Sequence, residues 1–254
     1  LFTKAEGRNE MDSIWINAPA KINIGLDVIR RREDGYHEVK MIMQSIRLFD
    51  RLTLTKTKEP GIKLTTNLSY LPVNEDNLVY QSAKRLMDEF HLEGGLDIKL
   101  DKRIPVAAGM AGGSTDAASC MLAINDLYGL GLSKRHLMKR GVKLGADIPY
   151  CILKGTALSE GIGEKLSTIP AMPSCYILIA KPNIHVSTKW VYTNLVLDEH
   201  TNHPDIDGML ASMKKRDLLS LSNQIGNVLE SVTIPAYPQI AAIKECMLQN
   251  GALG

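Results

Sequence analysis

A segment with almost no large side chains is the first feature that could do chemistry: P-V-A-A-G-M-A-G-G-S-T at residues 105–115. Its glycines stand directly before a predicted helix, where backbone N–H groups lack partners and the helix dipole is positive. Such a turn binds anions and lets a phosphate approach the backbone, while Ser114 and Thr115 offer hydroxyls and a cap. It is neither a Walker A motif, since no Lys follows the last glycine, nor a Rossmann G-x-G-x-x-G. Taken alone, it fits equally well a tight turn built for packing.

Three other places carry polar residues suited to catalysis or binding. Lys21 and Asn23 are two apart in a strand pattern, hence on one face, where they could line a polar cleft or point to solvent. Asp147 stands in a turn before Pro149 that would hold its carboxylate rigidly, although Asp is common in such turns for conformational reasons. Tyr36 and His37 end a charged hairpin turn, as exposed strand residues or as readers of a substrate.

Together these residues make a minimal set for phosphoryl transfer, a reaction that mainly needs positioning and charge stabilisation. An Asp beside a substrate hydroxyl can accept its proton. A Lys can stabilise the resulting alkoxide and the transferring phosphoryl group. The combination therefore favours a small-molecule kinase more strongly than any one of these features does alone.

The elements that must position these residues are mixed, which predicts an α+β fold with antiparallel hairpins rather than regular βαβ repeats. Residues 13–29 predict two short strands with a kink at Pro19, and Asn74 or Asp76 is expected to cap a helix over 77–90. Further strands are predicted at 36–46, 51–55, 62–66, 96–100, 150–158 and 175–182. Further helices are predicted at 114–127, 133–144 (capped by Ser133), 188–195, 206–215, 217–229 and 238–249.

Composition excludes several classes of function. With 254 residues, 44% hydrophobic residues and a formal charge of +2, the chain has enough apolar residues for a core and no general attraction for nucleic acid or anionic membranes. Four cysteines without a C-x-x-C pair predict reduced, mostly packed thiols rather than a disulfide framework or zinc site. No apolar run approaches the roughly 18 residues of a membrane span, so we expect a cytoplasmic protein with no membrane or nucleic-acid partner. Residues 1–10 are patternless and are excluded as foreign to the native chain.

The ordered motifs resemble those of the GHMP kinase superfamily. The chain carries A-P-A-K-I-N at 18–23, D-G-Y-H-E at 34–38, D-N-L at 76–78, K-R-I-P-V-A-A-G-M-A-G-G-S-T-D-A-A at 102–118 and G-A-D-I-P at 145–149. Within the superfamily, the D-G-Y-H hairpin after A-K-I-N resembles the 4-diphosphocytidyl-2-C-methyl-D-erythritol kinase family. The resemblance implies a two-domain fold: a two-layer N-terminal domain at 11–170 and a smaller, helix-rich α+β domain at 171–254. It also implies a second glycine-rich segment after Gly254, so we expect the C-terminal domain to be incomplete.

The resemblance further implies ATP-dependent phosphorylation of the 2-hydroxyl of the cytidine-diphosphate-linked methylerythritol. Lys21 and Asp147 would be the catalytic pair, with Asp147 as general base. Asn23 would lie near the methylerythritol, while Tyr36 and His37 would recognise the cytidine. Mg²⁺ would accompany ATP without a dedicated protein ligand set. The residues implied to bind ATP are Asn77, Lys102, Pro105, Val106, Ala107, Ala108, Gly109, Met110, Ala111, Gly112, Gly113, Ser114 and Thr115.

Two alternatives stay open at this point. The first is another GHMP kinase, acting on mevalonate-type or homoserine-type alcohols, which would not need the reader at Tyr36 and His37. The second is a non-catalytic RNA-binding module, because the same two-layer fold occurs in ribosomal and translation proteins. The near-neutral charge and the pairing of Asp147 with Lys21 count against the second.

Overall fold

Two long strands joined by a short turn organise the chain. The structure is a computed structural model that describes residues 12–254; the ten residues predicted to be foreign lie outside the described part. β1 spans Ser13–Arg31 and β2 spans His37–Thr57. β1 is one strand, so the predicted kink at Pro19 is wrong. Proline lacks the N–H that a ladder uses, and the carbonyl oxygen of Pro19 accepts a hydrogen bond from the Thr115 hydroxyl at 2.8 Å.

The described chain divides into two units of contacts, and β1 and β2 run through both. The first unit comprises residues 12–20, 47–105 and 111–152; the second comprises 21–46, 106–110 and 153–254. The predicted domain boundary near residue 170 stays a prediction.

The first unit builds a sheet with helices around it. Its other elements are β3 (Gly61–Thr66), α1 (Leu78–Glu89), β4 (Gly95–Asp101), α2 (Gly112–Leu127), α3 (Lys134–Gly141) and α4 (Ile148–Leu153). β4 pairs antiparallel with β2 over Arg51–Thr57 and parallel with β3. α1 connects the two parallel strands, so one βαβ unit stands among the expected antiparallel pairings. α1 packs on α2.

Local sequence explains most elements of the first unit. Leu96, Ile98 and Leu100 alternate into the core along β4, the period expected of a half-buried strand. Asn77 caps α1, rather than Asn74 or Asp76, by accepting a hydrogen bond from the Val79 N–H. Residues 148–153 form a helix, so the strand predicted from residue 150 is wrong as far as residue 153. Pro149 is tolerated in the helix because it lies in the first turn.

The second unit is built on the first part of β2 and the second part of β1. Its other elements are β5 (Thr156–Gly161), β6 (Lys165–Thr168), α5 (Thr188–Asn194), α6 (Ile206–Lys215), α7 (Leu218–Ser222), β7 (Gly226–Asn227), α8 (Glu230–Ala236) and α9 (Gln239–Gln249). β5 lies between β2 and β6, with both pairings antiparallel, and β7 pairs parallel with β1. The core of this unit contains Ile24, Ile42, Ile206, Met209, Met213 and Leu221.

Two predictions for the second unit are wrong. Residues 175–182 form no strand, and Tyr176 and Leu178 stay exposed, because no strand of the described chain pairs with them. The predicted helix at 217–229 ends at Ser222, and Gly226 pairs with Gly25 of β1 instead. The fold class is nevertheless the predicted α+β. No helix in residues 12–254 combines the length and apolar character needed to cross a bilayer.

Candidate active site

The glycine-rich segment has the backbone geometry of an anion-binding turn. Ala107, Gly109 and Ala111 have φ angles of +53°, +70° and +55°, in the left-handed region. Where residues of positive φ alternate with residues of negative φ, successive backbone N–H groups point toward a common side, which suits an anion. Two of the three are alanines, which adopt this conformation at a cost, and such strain is concentrated at functional sites.

The start of α2 is open to a ligand. The helix begins at Gly112 after Ala111, and no side chain caps its first N–H groups. The cap expected from Ser114 or Thr115 is therefore wrong. Thr115 is buried, and its hydroxyl donates to Pro19 O of β1 instead. The uncapped N–H groups and the positive end of the helix dipole are left to an incoming anion.

Several predicted site residues of the first unit surround the start of α2. A Cβ atom on Gly113 would lie 3.6 Å from Leu78, the residue after Asn77. A Cβ atom on Gly145 would lie 3.9 Å from Ser114 Oγ. The turn that carries Asp147 therefore lies beside the first turn of α2. Asp147 is half-buried, and its carbonyl oxygen accepts the hydrogen bond of Cys151 that opens α4. The amide of Asn77 is engaged by Val79 N and by Pro72 O.

Lys102, which the resemblance implies to bind ATP, is held by two acids of the first unit. It is buried, and its Nζ atom donates to Asp116 Oδ2 at 2.7 Å and to the carboxylate of Asp50. Sequence reasoning missed both acids. Two signals in the sequence could have revealed them. Asp50 is a charged residue inside β2, and Asp116 is one inside an alanine-rich helix.

In the second unit, Lys21 lies on β1 beside the glycine-rich segment. Its backbone N–H donates to Met110 O at 3.2 Å. Its side chain is buried, and Nζ donates to Asn23 Oδ1 at 3.2 Å, as the spacing of two predicts. Lys21 and Asp147 belong to different units, so their catalytic pairing stays a proposal.

The D-G-Y-H hairpin of the second unit is held by hydrogen bonds and presents two rings. Arg32 N–H donates to Tyr36 O at 2.8 Å, and Asp34 accepts from Tyr36 N–H at 3.1 Å. The Tyr36 side chain is exposed, whereas the His37 ring lies 5.1 Å from that of Tyr192 on α5. Burial, aided by the charge of Arg31, lowers the pKa of His37 below its ordinary value. Sequence analysis missed Tyr192, one of eight tyrosines in a chain with 5% aromatic residues.

No ready-made metal centre accompanies these groups. Within residues 12–254, no three His, Cys, Asp or Glu side chains come together in a way that could hold a metal ion.

Comparison with known proteins assigns the chain to a family. The sequence model of the GHMP kinases N terminal domain matches residues 77–155. A 4-diphosphocytidyl-2-C-methyl-D-erythritol kinase from Lachnoclostridium phytofermentans is 55% identical over 243 residues, 96% of this chain and 84% of that protein. The crystal structure of a 4-(cytidine 5'-diphospho)-2C-methyl-D-erythritol kinase matches with a TM-score of 0.78 and 28% identity, covering 94% of this chain and 84% of that one.

A homoserine kinase from Cytophaga hutchinsonii matches with a TM-score of 0.70 and 20% identity over 100% of this chain and 83% of that one, a likeness of fold alone. Fold and site thus define a GHMP kinase, a phosphotransferase. More narrowly, the chain belongs to the 4-diphosphocytidyl-2-C-methyl-D-erythritol kinase family.

Proposed function

We propose that this chain transfers the γ-phosphoryl group of ATP to the 2-hydroxyl of 4-diphosphocytidyl-2-C-methyl-D-erythritol, in the non-mevalonate route to isoprenoid precursors. The products are the 2-phosphate and ADP. The observation that carries the proposal is the 55% identity to a kinase of that name along 96% of the chain. A mevalonate-type or homoserine-type substrate lacks comparable support, since the homoserine kinase resembles the chain at 20% identity.

The phosphates of ATP would bind at the glycine-rich segment. The uncapped N–H groups of α2 and the left-handed residues Ala107, Gly109 and Ala111 support this assignment. Asn77 would lie near the adenosine, since its neighbour Leu78 lies against Gly113. Mg²⁺ would arrive with ATP and neutralise charge on its phosphates, with water and phosphate oxygens as its main ligands.

Asp147 would act as the general base. The 2-hydroxyl oxygen forms the new bond to the γ-phosphorus, the bond from that phosphorus to ADP breaks, and Asp147 takes the hydroxyl proton. The position of its turn beside Ser114, at the start of α2, supports this role. Lys21 would stabilise the developing alkoxide, and its contact with Asn23 keeps its ammonium in place.

The cytidine end would be read in the second unit. Tyr36 presents an exposed ring on a hairpin stiffened by Asp34. His37 and Tyr192 place two further rings next to each other. A planar base can stack on such rings and bond to the imidazole. We further propose a cytoplasmic location and no nucleic-acid or membrane partner.

Replacement of Asp147 by Asn tests the proposed chemistry. We expect turnover to fall by about 100-fold or more, the scale of general-base catalysis, while ATP binding, followed by calorimetry, stays within about twofold because the amide keeps the shape of the carboxyl group. Asp126→Asn, at an exposed position near the other end of α2, is the matched control and should leave both unchanged. Full activity of Asp147→Asn would reject Asp147 as the base.

A further inference from the structure

A buried ionic cluster lies in the first unit, next to the glycine-rich segment. Lys102, Asp50 and Asp116 are 8%, 0% and 2% exposed. The Lys102 ammonium is shared between the two carboxylates. Charged side chains are almost never fully buried unless they are paired, as Lys102 is with both acids.

The cluster joins the two ends of the glycine-rich segment. On the side before Pro105, Asp50 Oδ1 accepts hydrogen bonds from the backbone N–H groups of Arg103 and Ile104. On the side after it, Asp116 projects from the second turn of α2. Lys102 bridges the acids, and its own backbone is held on both sides by the amide of Asn67, at 2.8 and 3.0 Å.

The cluster also lies directly under the first residue of α2. A Cβ atom on Gly112 would sit 3.2 Å from Lys102 Nζ and 3.4 Å from Ile104 Cγ2. The absence of a side chain at Gly112 therefore lets the helix start rest against the ammonium. Any shift of Lys102 would move the backbone whose N–H groups are open to an anion.

The charges of the cluster shift the pKa values of its own members. Burial raises the pKa of Asp116 well above its usual range; Lys102 opposes this shift and Asp50 adds to it. Burial also disfavours the Lys102 ammonium, but the two carboxylates outweigh it and raise the pKa of Lys102.

We propose that Lys102, Asp50 and Asp116 are positioning residues for ATP: the cluster fixes the end of the glycine-rich segment and the first turn of α2 in the conformation that receives the phosphates. The Lys102 ammonium acts through this backbone and does not bind the nucleotide itself. This inference rests on the proposed function, since it assigns ATP to the glycine-rich segment.

Two substitutions at Asp116 test the proposal with matched shapes. Asn can still accept a hydrogen bond from Lys102 Nζ through its amide oxygen, whereas Leu cannot. We expect Asp116→Leu to raise KM for ATP about tenfold, as loss of positioning does. KM for the alcohol should stay within about twofold, and Asp116→Asn should restore KM for ATP to near the parent value. Equal KM values for ATP in both variants would overturn the proposal.

The double variant Lys102→Met with Asp50→Asn separates positioning from direct binding. It removes both buried charges of that pair, so neither is left uncompensated. Positioning predicts the same rise in KM for ATP as Asp116→Leu. If Lys102 bound ATP itself, the double variant would be impaired and Asp116→Leu, which keeps the ammonium, would not; that result contradicts the proposal.

A control and an independent readout complete the test. Glu89→Gln breaks the ion pair with Arg140, elsewhere in the first unit, and should lower the melting temperature without changing KM for ATP. The rise in melting temperature caused by ATP alone reports nucleotide binding without the alcohol. If the parent chain binds ATP but phosphorylates no cytidylyl substrate, the proposed function fails while the Asp116 comparison still decides the role of the cluster.

Discussion

The His37 side chain is half-buried beside a second aromatic ring. Its ring lies against Tyr192, and burial and Arg31 lower its pKa below 6.5. The imidazole is thus neutral at and above neutral pH, with one nitrogen able to donate and the other to accept a hydrogen bond. Cytosine offers both kinds of partner on its edge. Protonation removes the acceptor, and this occurs only as pH falls below the ordinary His value.

We therefore expect the KM for the cytidylyl substrate to stay constant from pH 8 to about 6.5 and to rise at lower pH. In His37→Gln, which cannot take up a proton, KM should be higher at neutral pH and should lose this rise. Initial rates across pH at saturating ATP measure both. Tyr36→Ala should raise the same KM without changing its pH profile, and an unchanged KM in both variants would remove the hairpin from substrate recognition.

At the scale of elements, two hydrogen bonds join β1 to the glycine-rich segment. Pro19 O accepts from the Thr115 hydroxyl of α2, and Lys21 N–H donates to Met110 O. The motif A-P-A-K is thus joined through its backbone to the glycine-rich segment.

Thr115→Val tests the hydrogen bond from Thr115 to Pro19 O, because it removes the hydroxyl and keeps the shape of the side chain. We expect a loss of about 1 kcal/mol in the free energy of unfolding, the usual worth of such a hydrogen bond. Thr193→Val, on exposed α5, removes a hydroxyl that bonds within its own helix and should change stability by less than about 0.5 kcal/mol. Urea unfolding followed by circular dichroism compares the two variants. Equal losses of unfolding free energy would contradict a stabilising role for the hydrogen bond from Thr115 to Pro19 O.

The elements that local pattern determines were predictable from sequence, and those that distant partners determine were not. β3, β4 and the Ser133 cap follow from alternation and capping residues alone. By contrast, Gly226 joins β1 because Gly25 is its partner some 200 residues earlier in the chain, which no local pattern reveals. Motif order identified Lys21, Asn23 and Asp147 as candidates, but the contacts of Lys102 with Asp50 and Asp116 depend on the assembled sheet.

For the whole molecule, scarce aromatics shift the work of core formation to small aliphatic residues and methionine. Met209 and Met213 are fully buried in the second unit, where their flexible side chains help to fill the core. The cysteines follow the same division between inside and outside. Cys120 and Cys151 are buried, Cys175 and Cys246 are exposed, and none of the four forms a disulfide within residues 12–254.

Thiol labelling should therefore separate the cysteines into two pairs. Burial raises the pKa of Cys120 to about 12, which suppresses its reactive thiolate. We expect two thiols to react with a chromogenic disulfide reagent within seconds in the native protein, and all four after denaturation. Replacing Cys175 and Cys246 by Ser should abolish the fast phase. A fast phase that persists in that double variant would mean that the buried pair is accessible.

The central claim is that this kinase acts on the cytidylyl-linked methylerythritol. The most direct measurement is ADP release, coupled to an oxidation of NADH, with 4-diphosphocytidyl-2-C-methyl-D-erythritol, mevalonate or homoserine as the acceptor. We expect kcat/KM for the cytidylyl substrate to exceed that for the other two by about 1000-fold or more, since a site built to bond a polar group rejects substrates that lack it. Comparable or greater phosphorylation of mevalonate or homoserine would contradict the account.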